Sequence, residues 1–341
     1  MKTQAEEIRA FLIDNIEKHP SDIVTVTMQH FGVTRTTVHR HLKKLRQDNQ
    51  IVQSGTTRDI KYFLSSSLER SMSYAITHTI NEFDVYEKDF SNIYEKLPKT
   101  ILDIVTYGFT EIFNNAIDHS RGSKINVSTD YSNNNISISI SDDGIGVFKN
   151  LQDYFKLDDL RESVLQLNKG KMTTDPANHT GEGVFFSSRV FDVFEIYANN
   201  LHYIRDNIEE DWSLETLSKM DKGTCVKMLI SPDSLNNLVG TFQQYQDSES
   251  LAFDRTDIVV GLSKFGNEVL ISRSQAKRIT LGLEKFRHIT LDFSGIRLAG
   301  QGFVDEIFRV FSKAHPGIKI NYINANSDVE FMIKRSLSTH L

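Results

Sequence analysis

The sequence predicts a multidomain chain: a mostly helical N-terminal unit followed by two α/β units. Three observations carry this prediction. Residues 1–64 hold three short stretches with apolar residues at helical spacing, then a hairpin pattern. A long helical stretch ending at His119 is followed by a hairpin and by the acidic, glycine-broken strand end Asp142-Asp143-Gly144-Ile145-Gly146. From residue 257 onward, strand and helix patterns alternate. The 341 residues are enough for two or three domains, at about 100–200 residues each.

Composition narrows the class. Charged residues make up 25% and apolar residues 39%, which is ordinary for a globular protein and argues against a disordered or fibrous chain. The apolar runs are far shorter than the ~18 residues a membrane span needs. The opening MKTQAEEIRAFLIDNIEKHP has acids where a signal peptide carries bases. A single cysteine, Cys225, excludes an internal disulfide framework and a cysteine-cluster zinc site. A cytoplasmic, bacterial-type protein with no membrane contact is the expectation.

Charge is unevenly distributed. Residues 31–64 carry seven basic side chains against two acidic ones, a local +5 in a chain whose formal charge is −6. Such a basic block in an acidic protein points to a local contact with a polyanion. In the same region Ile8, Phe11, Leu12 and Ile16 outline a first amphipathic helix, and Val24 to His30 a second. Phe31-Gly32-Val33-Thr34 forms a turn in which Gly32 can take positive φ and Thr34 can cap the next helix. Arg35 to Gln47 then places Val38, Leu42 and Leu45 on one face and Thr36, Arg40, Lys43 and Gln47 on the other. Ile51–Gln53 and Ile60–Leu64 flank a Ser54-Gly55-Thr56-Thr57 turn and complete a hairpin. This order resembles a winged helix-turn-helix domain over residues 1–64. The resemblance implies a third helix in the major groove of DNA, with Arg35, Thr36, Thr37, Arg40 and Lys43 facing the duplex. Arg58 of the hairpin would touch backbone phosphate. The alternative is a protein-docking module with a solvated basic face.

Residues 65–98 start with Ser65-Ser66-Ser67, a linker composition. Phe83, Val85, Tyr86, Phe90, Ile93, Tyr94 and Leu97 follow in a mostly helical pattern that stops at Pro98. This segment is expected to pack on the unit that follows it. A homodimer contact there stays open.

The stretch Glu111-Ile-Phe-Asn-Asn115-Ala-Ile-Asp118-His119 is the most informative part of the chain. At about 100° per helical residue, Asn115 lies about 40° and Asp118 about 20° from Glu111, within one stripe. Apolar residues cover most of the remaining circumference. Polar groups on such a helix are costly to bury unless a ligand engages them. A carboxylate and an amide on one face, followed by an acidic strand end, suit a nucleotide with its Mg²⁺.

Four short patterns occur in order: Glu111…Asn115-Ala116, Asp142-x-Gly144-x-Gly146, Gly181-x-Gly183 and Gly223-Thr224. Together they resemble the boxes of GHKL ATPases, the superfamily of gyrase, Hsp90, MutL and histidine kinases. The wording NNAIDHS is closest to the anti-sigma-factor kinase branch. The resemblance covers about residues 100–230 and implies an α/β sandwich of the Bergerat type, assigned to residues 99–232, that binds ATP and Mg²⁺. It implies Glu111 as the general base toward water. Asn115 would ligate Mg²⁺, and Asp142 would accept from the adenine amino group. Gly144 and Gly146 would let the backbone pass close to the base. Thr224 would support the base, Asp118 and His119 would complete the polar face, and Gly181 and Gly183 would bring amides to the phosphates. Asp143 is the tolerant position of its box. Val147 to Thr180 occupies the place of the family's lid, with Lys169 and Lys171 read as solvated lid residues and a phosphate contact by either as the less favoured alternative. The longer glycine-rich box of histidine kinases is missing, and no histidine-bearing dimerisation helix precedes the unit, which counts against autophosphorylation.

In the last unit, Asp257–Gly261, Glu268–Ser272, Ile289–Phe293 and Ile318–Ile323 are predicted strands. Ser272-x-x-Gln275 is a capping box that opens a helix extending to Phe286. Val304–Phe311 is the next helix, and Ser327-x-x-Glu330 caps the last. The order and the segment ITLDFSGIRLAGQGF resemble a STAS domain, the anti-sigma-factor antagonist fold, over about 257–341. The antagonists carry a phosphoacceptor serine after this strand. The matching positions here are Ala299-Gly300-Gln301-Gly302, which have no hydroxyl, so a switch would work by contact with a protein partner.

The combined expectation is an ATP-binding, DNA-binding transcription regulator that uses ATP and Mg²⁺ and engages DNA through residues 1–64. Two alternatives stand beside it: a serine/threonine protein kinase of the anti-sigma type acting on a separate partner, and an ATP-gated clamp in repair or defence.

Overall fold

The computed structural model describes residues 3–55, 60–177, 180–217, 220–247, 251–264 and 268–338. Three helices open the chain: α1 (Gln4–Asn15), α2 (Ile23–Phe31) and α3 (Arg35–Gln47). Thr3 and Glu6 form a capping box on α1. Gly32 ends α2 at φ 63°, a left-handed value that favours glycine. The Thr34 side chain accepts from the Thr37 amide to start α3. Strands β1 (Ile51–Ser54) and β2 (Lys61–Leu64) then pair antiparallel, Ile51 opposite Leu64. Ile8, Leu12, Ile16, Ile23, Val38, Leu42, Leu45, Ile51 and Tyr62 form a small core of their own. The turn between these strands, with Arg58, lies outside the described residues.

The next segment departs from the linker expected of it. Ser65–Leu68 is a 3₁₀ turn, and Arg70–Ala75 is a strand, β3, at one edge of the central sheet. Helix α4 (Glu82–Val85), a π turn over Tyr86–Phe90 and α5 (Ser91–Tyr94) follow. Val85, Tyr86, Phe90, Ile93, Tyr94 and Leu97 are buried, as their spacing predicts. Phe83 is instead exposed.

The central unit is built on α6 (Lys99–His119), the strands β4 (Lys124–Ser132) and β5 (Asn135–Asp142), α7 (Val147–Phe155), α8 (Leu160–Lys169) and α9 (Gly183–Val190). Strands β6 (Val193–Ala198), β7 (Leu201–Asp206), β8 (Asp211–Thr216) and β9 (Thr224–Ile230) complete it. Seven strands form one sheet in the order β3-β4-β5-β9-β6-β7-β8, every neighbouring pair antiparallel. Helices α6 and α9 pack on one face. There β5 buries Ile136, Ile138 and Ile140, while Ser137, Ser139 and Ser141 alternate to the other face, as a strand's period of two requires. Gly108 lets α6 approach α9, because a Cβ there would collide with the Phe191 ring.

After α10 (Leu238–Tyr245), the C-terminal unit holds β10 (Arg255–Val259), α11 (Arg273–Thr280), β11 (His288–Asp292), α12 (Gln301–Asp305), a π turn to Phe311, α13 (Ser312–Ala314), β12 (Lys319–Ile323) and α14 (Ser327–Ser338). Its three strands are parallel in the order β10-β11-β12. The capping box of Ser272 and Gln275 is present. Three expectations need correction. The predicted strand Glu268–Ser272 reduces to a single bridge, Leu270 to Ala299. The helix after Ser272 ends at Thr280 rather than Phe286, because Gly282 takes φ 79° and turns the chain. The last helix starts at Ser327, so Asn326 caps it, its side-chain oxygen accepting from Asp328 N and Val329 N.

The central and C-terminal units share one continuous apolar core. Trp212 of β8 lies against Gly261, where a Cβ would come within 2.7 Å of its ring.

Candidate functional site

The central sheet, α6 and α9 border an open cleft with a cavity volume of about 130 Å³. Helix α6 presents Glu111, Asn115 and His119 to it, one helical turn apart. The sheet supplies Asp142 from the end of β5 and Thr224 from the start of β9. These two are neighbours because Ser141 pairs with Cys225 in the antiparallel register. Gly181, Glu182 and Gly183 close the far side.

Asp142 is firmly held. One of its oxygens, Oδ1, accepts from Gly144 N at 2.9 Å and from Thr224 N at 3.3 Å. Burial pushes its carboxyl above the usual carboxylate range, and these amides act against that rise. Thr224 Oγ1 accepts from Val147 N at 2.9 Å, so the same threonine fixes the start of α7. Around Asp142 the wall is apolar: Ile140, Val147, Leu151, Ile196 and Val226. At the other end, the Glu111 carboxylate lies against Gly183, where a Cβ would collide with it. Burial raises the Glu182 carboxyl, and Lys171 opposes this. The Tyr107 phenol is pushed far up by burial and then by the Glu111 and Glu182 charges, which places it near both.

The residues singled out by sequence do not all converge. Glu111, Asn115, His119, Asp142, Gly181, Gly183 and Thr224 line the cleft; Asp118, Gly144 and Gly146 do not. Asp118 is exposed on α6. Gly144 is required by Ser120, whose carbonyl a Cβ would strike. Gly146 has φ 85° and abuts the Asn199 amide. Both glycines are required by close protein neighbours of the loop. His119 Nδ1 faces Thr174 Oγ1 at 3.3 Å. Asp143 is tied to Ser123 N and Oγ and to Lys124 N, which hold its carboxyl below the usual range. Lys169 is fully buried rather than solvated.

Sequence reasoning missed Asn150, Met172, Thr173, Thr174 and Thr180, all of which line the cleft. Asn150 alone left a signal: it is a polar residue on the apolar face of α7, buried beside Leu151. Among the described residues, no lysine or arginine lines the cleft.

A second candidate surface lies on α3. Arg35, Thr36, Arg40 and Lys43 are exposed along it. Thr37 is half-buried in the cap, its hydroxyl 3.1 Å from that of Thr34. Arg35 Nε donates to His39 Nε2 at 3.4 Å. Arg46 is committed elsewhere. It donates to Gln53 at 2.7 Å, to Asn134 at 3.3 Å and to Asp233 at 3.0 Å, and so ties α3 to the β4–β5 turn. The Asp142 cleft lies at the opposite end of β5 from that turn.

A family model described as a STAS-like domain of unknown function (DUF4325) matches residues 275–330. The C-terminal unit is a STAS-like domain. A search of curated proteins finds no match to the chain. No helix among the described residues is long and apolar enough to cross a membrane.

Proposed function

We propose that this chain is an ATP-binding regulator of transcription: a GHKL-type unit of the Bergerat α/β sandwich class takes up Mg-ATP, and a winged helix-turn-helix unit contacts DNA. The observation that carries the reading is the convergence of Glu111, Asn115, Asp142, Gly183 and Thr224, distant in sequence, on one cleft. The cleft's chemistry fits the ligand. Its apolar end with one firmly held carboxylate suits a flat base with an exocyclic amino group. Its other end offers the amide start of the eight-residue helix α9 to phosphate. With no lysine or arginine on the lining, the phosphate charge falls to those amides and to a divalent cation.

Asn115 would hold Mg²⁺ through its side-chain oxygen, and the ion would neutralise and orient the phosphate oxygens. Glu111 takes a proton from the attacking water as its oxygen adds to the terminal phosphorus; the bond to the bridging oxygen breaks, leaving ADP and phosphate. Asp142, already bound by two amides, accepts from the base. Among the described residues, the exposed side chains Arg35, Thr36, Arg40 and Lys43 of α3 meet the duplex, with Thr37 beside them at the cap. Because Arg46 fixes α3 to the end of the sheet far from the cleft, nucleotide would act on DNA binding through the arrangement of whole units or of two copies rather than by direct contact.

The test is calorimetric titration with a non-hydrolysable ATP analogue and Mg²⁺. Asp142→Asn swaps an acceptor-only group for a mixed amide, and affinity is expected to weaken by about 1–3 kcal/mol. In the wild type, affinity should also weaken as pH falls through the raised Asp142 titration, since the protonated carboxyl loses acceptor capacity. A folded Asp142→Asn variant with unchanged affinity would refute the base-binding role.

A further inference from the structure

The wall of the cleft and the STAS-like domain share one short segment. Leu167, Met172, Thr173 and Thr174 line the cleft. Between them sits Lys169, fully buried. Its Nζ donates to Gln166 Oε1 at 2.8 Å, Arg278 O at 2.9 Å and Leu281 O at 2.8 Å. Three acceptors satisfy the three donors of an ammonium. Two of them are carbonyls at the C-terminal end of α11 in the STAS-like domain, where the last carbonyls of a helix lack helical partners and the dipole favours a cation.

The surrounding contacts repeat the link. Gln166 Nε2 also donates to Arg278 O, at 3.1 Å. Thr256 Oγ1 donates to Lys169 O at 2.7 Å. Lys171 Nζ donates to Lys285 O at 3.0 Å, and Lys285 Nζ returns a bond to Lys171 O at 2.8 Å. Arg278 pairs with Glu162 of α8 at 3.2 Å. Met172 lines the cleft and also touches Gly282, where a Cβ would lie 3.0 Å from its sulfur. On the cleft side, Lys171 N donates to Gly181 O at 3.1 Å, which ties the segment to the Gly181–Gly183 turn.

A buried ammonium whose three bonds all go to neutral oxygens is expensive, with only the nearby charges of Glu284 and Glu162 to favour it, and an apolar residue of similar size would fill the same volume at lower cost. What the lysine adds is a defined position relative to α11. We infer that the STAS-like domain forms the back support of the cleft, and that Lys169 is the positioning residue that holds the Met172–Thr174 wall against it. The inference deepens the nucleotide reading and rests on it for the ligand, though not for the strut. If both sites see the same segment, coupling is reciprocal: nucleotide in the cleft steadies the end of α11, and a partner that pulls α11 away loosens nucleotide.

The experiment uses the full chain and two variants, Lys169→Met and Lys285→Met. Lys285 is exposed, so the second variant tests the link without disturbing the interior. Backbone hydrogen exchange at residues 171–174 is expected to rise about tenfold in each, the scale of one or two lost hydrogen bonds. Exchange in α3 should stay unchanged. Binding of the Mg-bound, non-hydrolysable ATP analogue should weaken by a similar factor, and in the wild type that analogue should slow exchange at residues 278–281. Unchanged exchange at 171–174 in both variants would overturn the inference. A wild-type chain that binds no analogue, in which both variants still loosen 171–174, would remove the nucleotide reading and keep the strut.

Discussion

Glu111→Ala is expected to retain Mg-ATP and to lose hydrolysis by about 10²-fold or more, the usual size of a general-base contribution. The side chain lies against Gly183 and lines the cleft at the end proposed for phosphate. Its removal opens space there and leaves Asp142 and Thr224, the proposed contacts to the base, untouched. Binding and turnover should therefore separate: calorimetry gives near-wild-type affinity while phosphate release collapses. Glu111→Gln keeps the volume and removes the basicity, so it should fall with the alanine variant. If phosphate release by either variant matches wild type, Glu111 is not the base. A wild type that binds ATP and releases no phosphate makes the cleft a binding switch. Transfer of labelled γ-phosphate to a protein serine would instead favour the kinase alternative.

The cleft was legible where its chemistry is local. Asp142 and Gly144 announce themselves as an acidic strand end broken by glycine, and Glu111 and Asn115 stand one turn apart on a helix. The register that brings Thr224 beside Asp142 follows from neither stretch alone. The support behind the cleft was not legible at all. Two acceptors of Lys169 are backbone carbonyls 109 and 112 residues away, and a carbonyl carries no side-chain signature. Lys169 therefore looked like any solvated lysine. Strand β3 was hidden for another reason. Its sequence Arg-Ser-Met-Ser-Tyr-Ala shows four exposed positions and none buried, because it is an edge strand that meets the core through the partly buried Tyr74 rather than through a repeated apolar pattern. The glycines Gly144 and Gly146 announced the loop but not its protein neighbours, the Ser120 carbonyl and the Asn199 amide, because a glycine motif does not say what fills the space a Cβ would take.

Geometry also limits how the two candidate surfaces can communicate. Arg46 joins α3 to the turn at one end of β5, and Asp142 closes the other end. A ligand at Asp142 cannot reach α3 through side-chain contact, whereas the Met172–Thr174 wall reaches the STAS-like domain directly. The shortest physical route from the cleft thus runs to the C-terminal domain. An effect on DNA then requires that domain, or a second copy of the chain, to alter how the N-terminal unit is presented. Such coupling exists only if ATP binds the two arrangements with different affinity.

Arg40→Ala combined with Lys43→Ala should weaken DNA binding and flatten its dependence on salt. Both side chains are exposed on α3, and no ion pair to either is found among the described residues. Each lost phosphate contact removes ~0.9 from the slope of log affinity against log salt, so the pair should remove about 1.8. If Arg40 reads a guanine edge, sequence preference should relax as well, by about 1–3 kcal/mol at that base pair. The neighbouring Lys44 offers an internal comparison, since its ammonium is already paired with Asp48 at 2.7 Å. Exposed pairs of this kind are weak, so Lys44→Ala should cost less than either of the others without disturbing the fold. Equal affinity of the double variant and the wild type across a salt series would move α3 from nucleic-acid contact to protein docking. That result would leave the cleft's nucleotide chemistry standing, because Arg40 and Lys43 lie in the N-terminal unit while the cleft is formed by the central one.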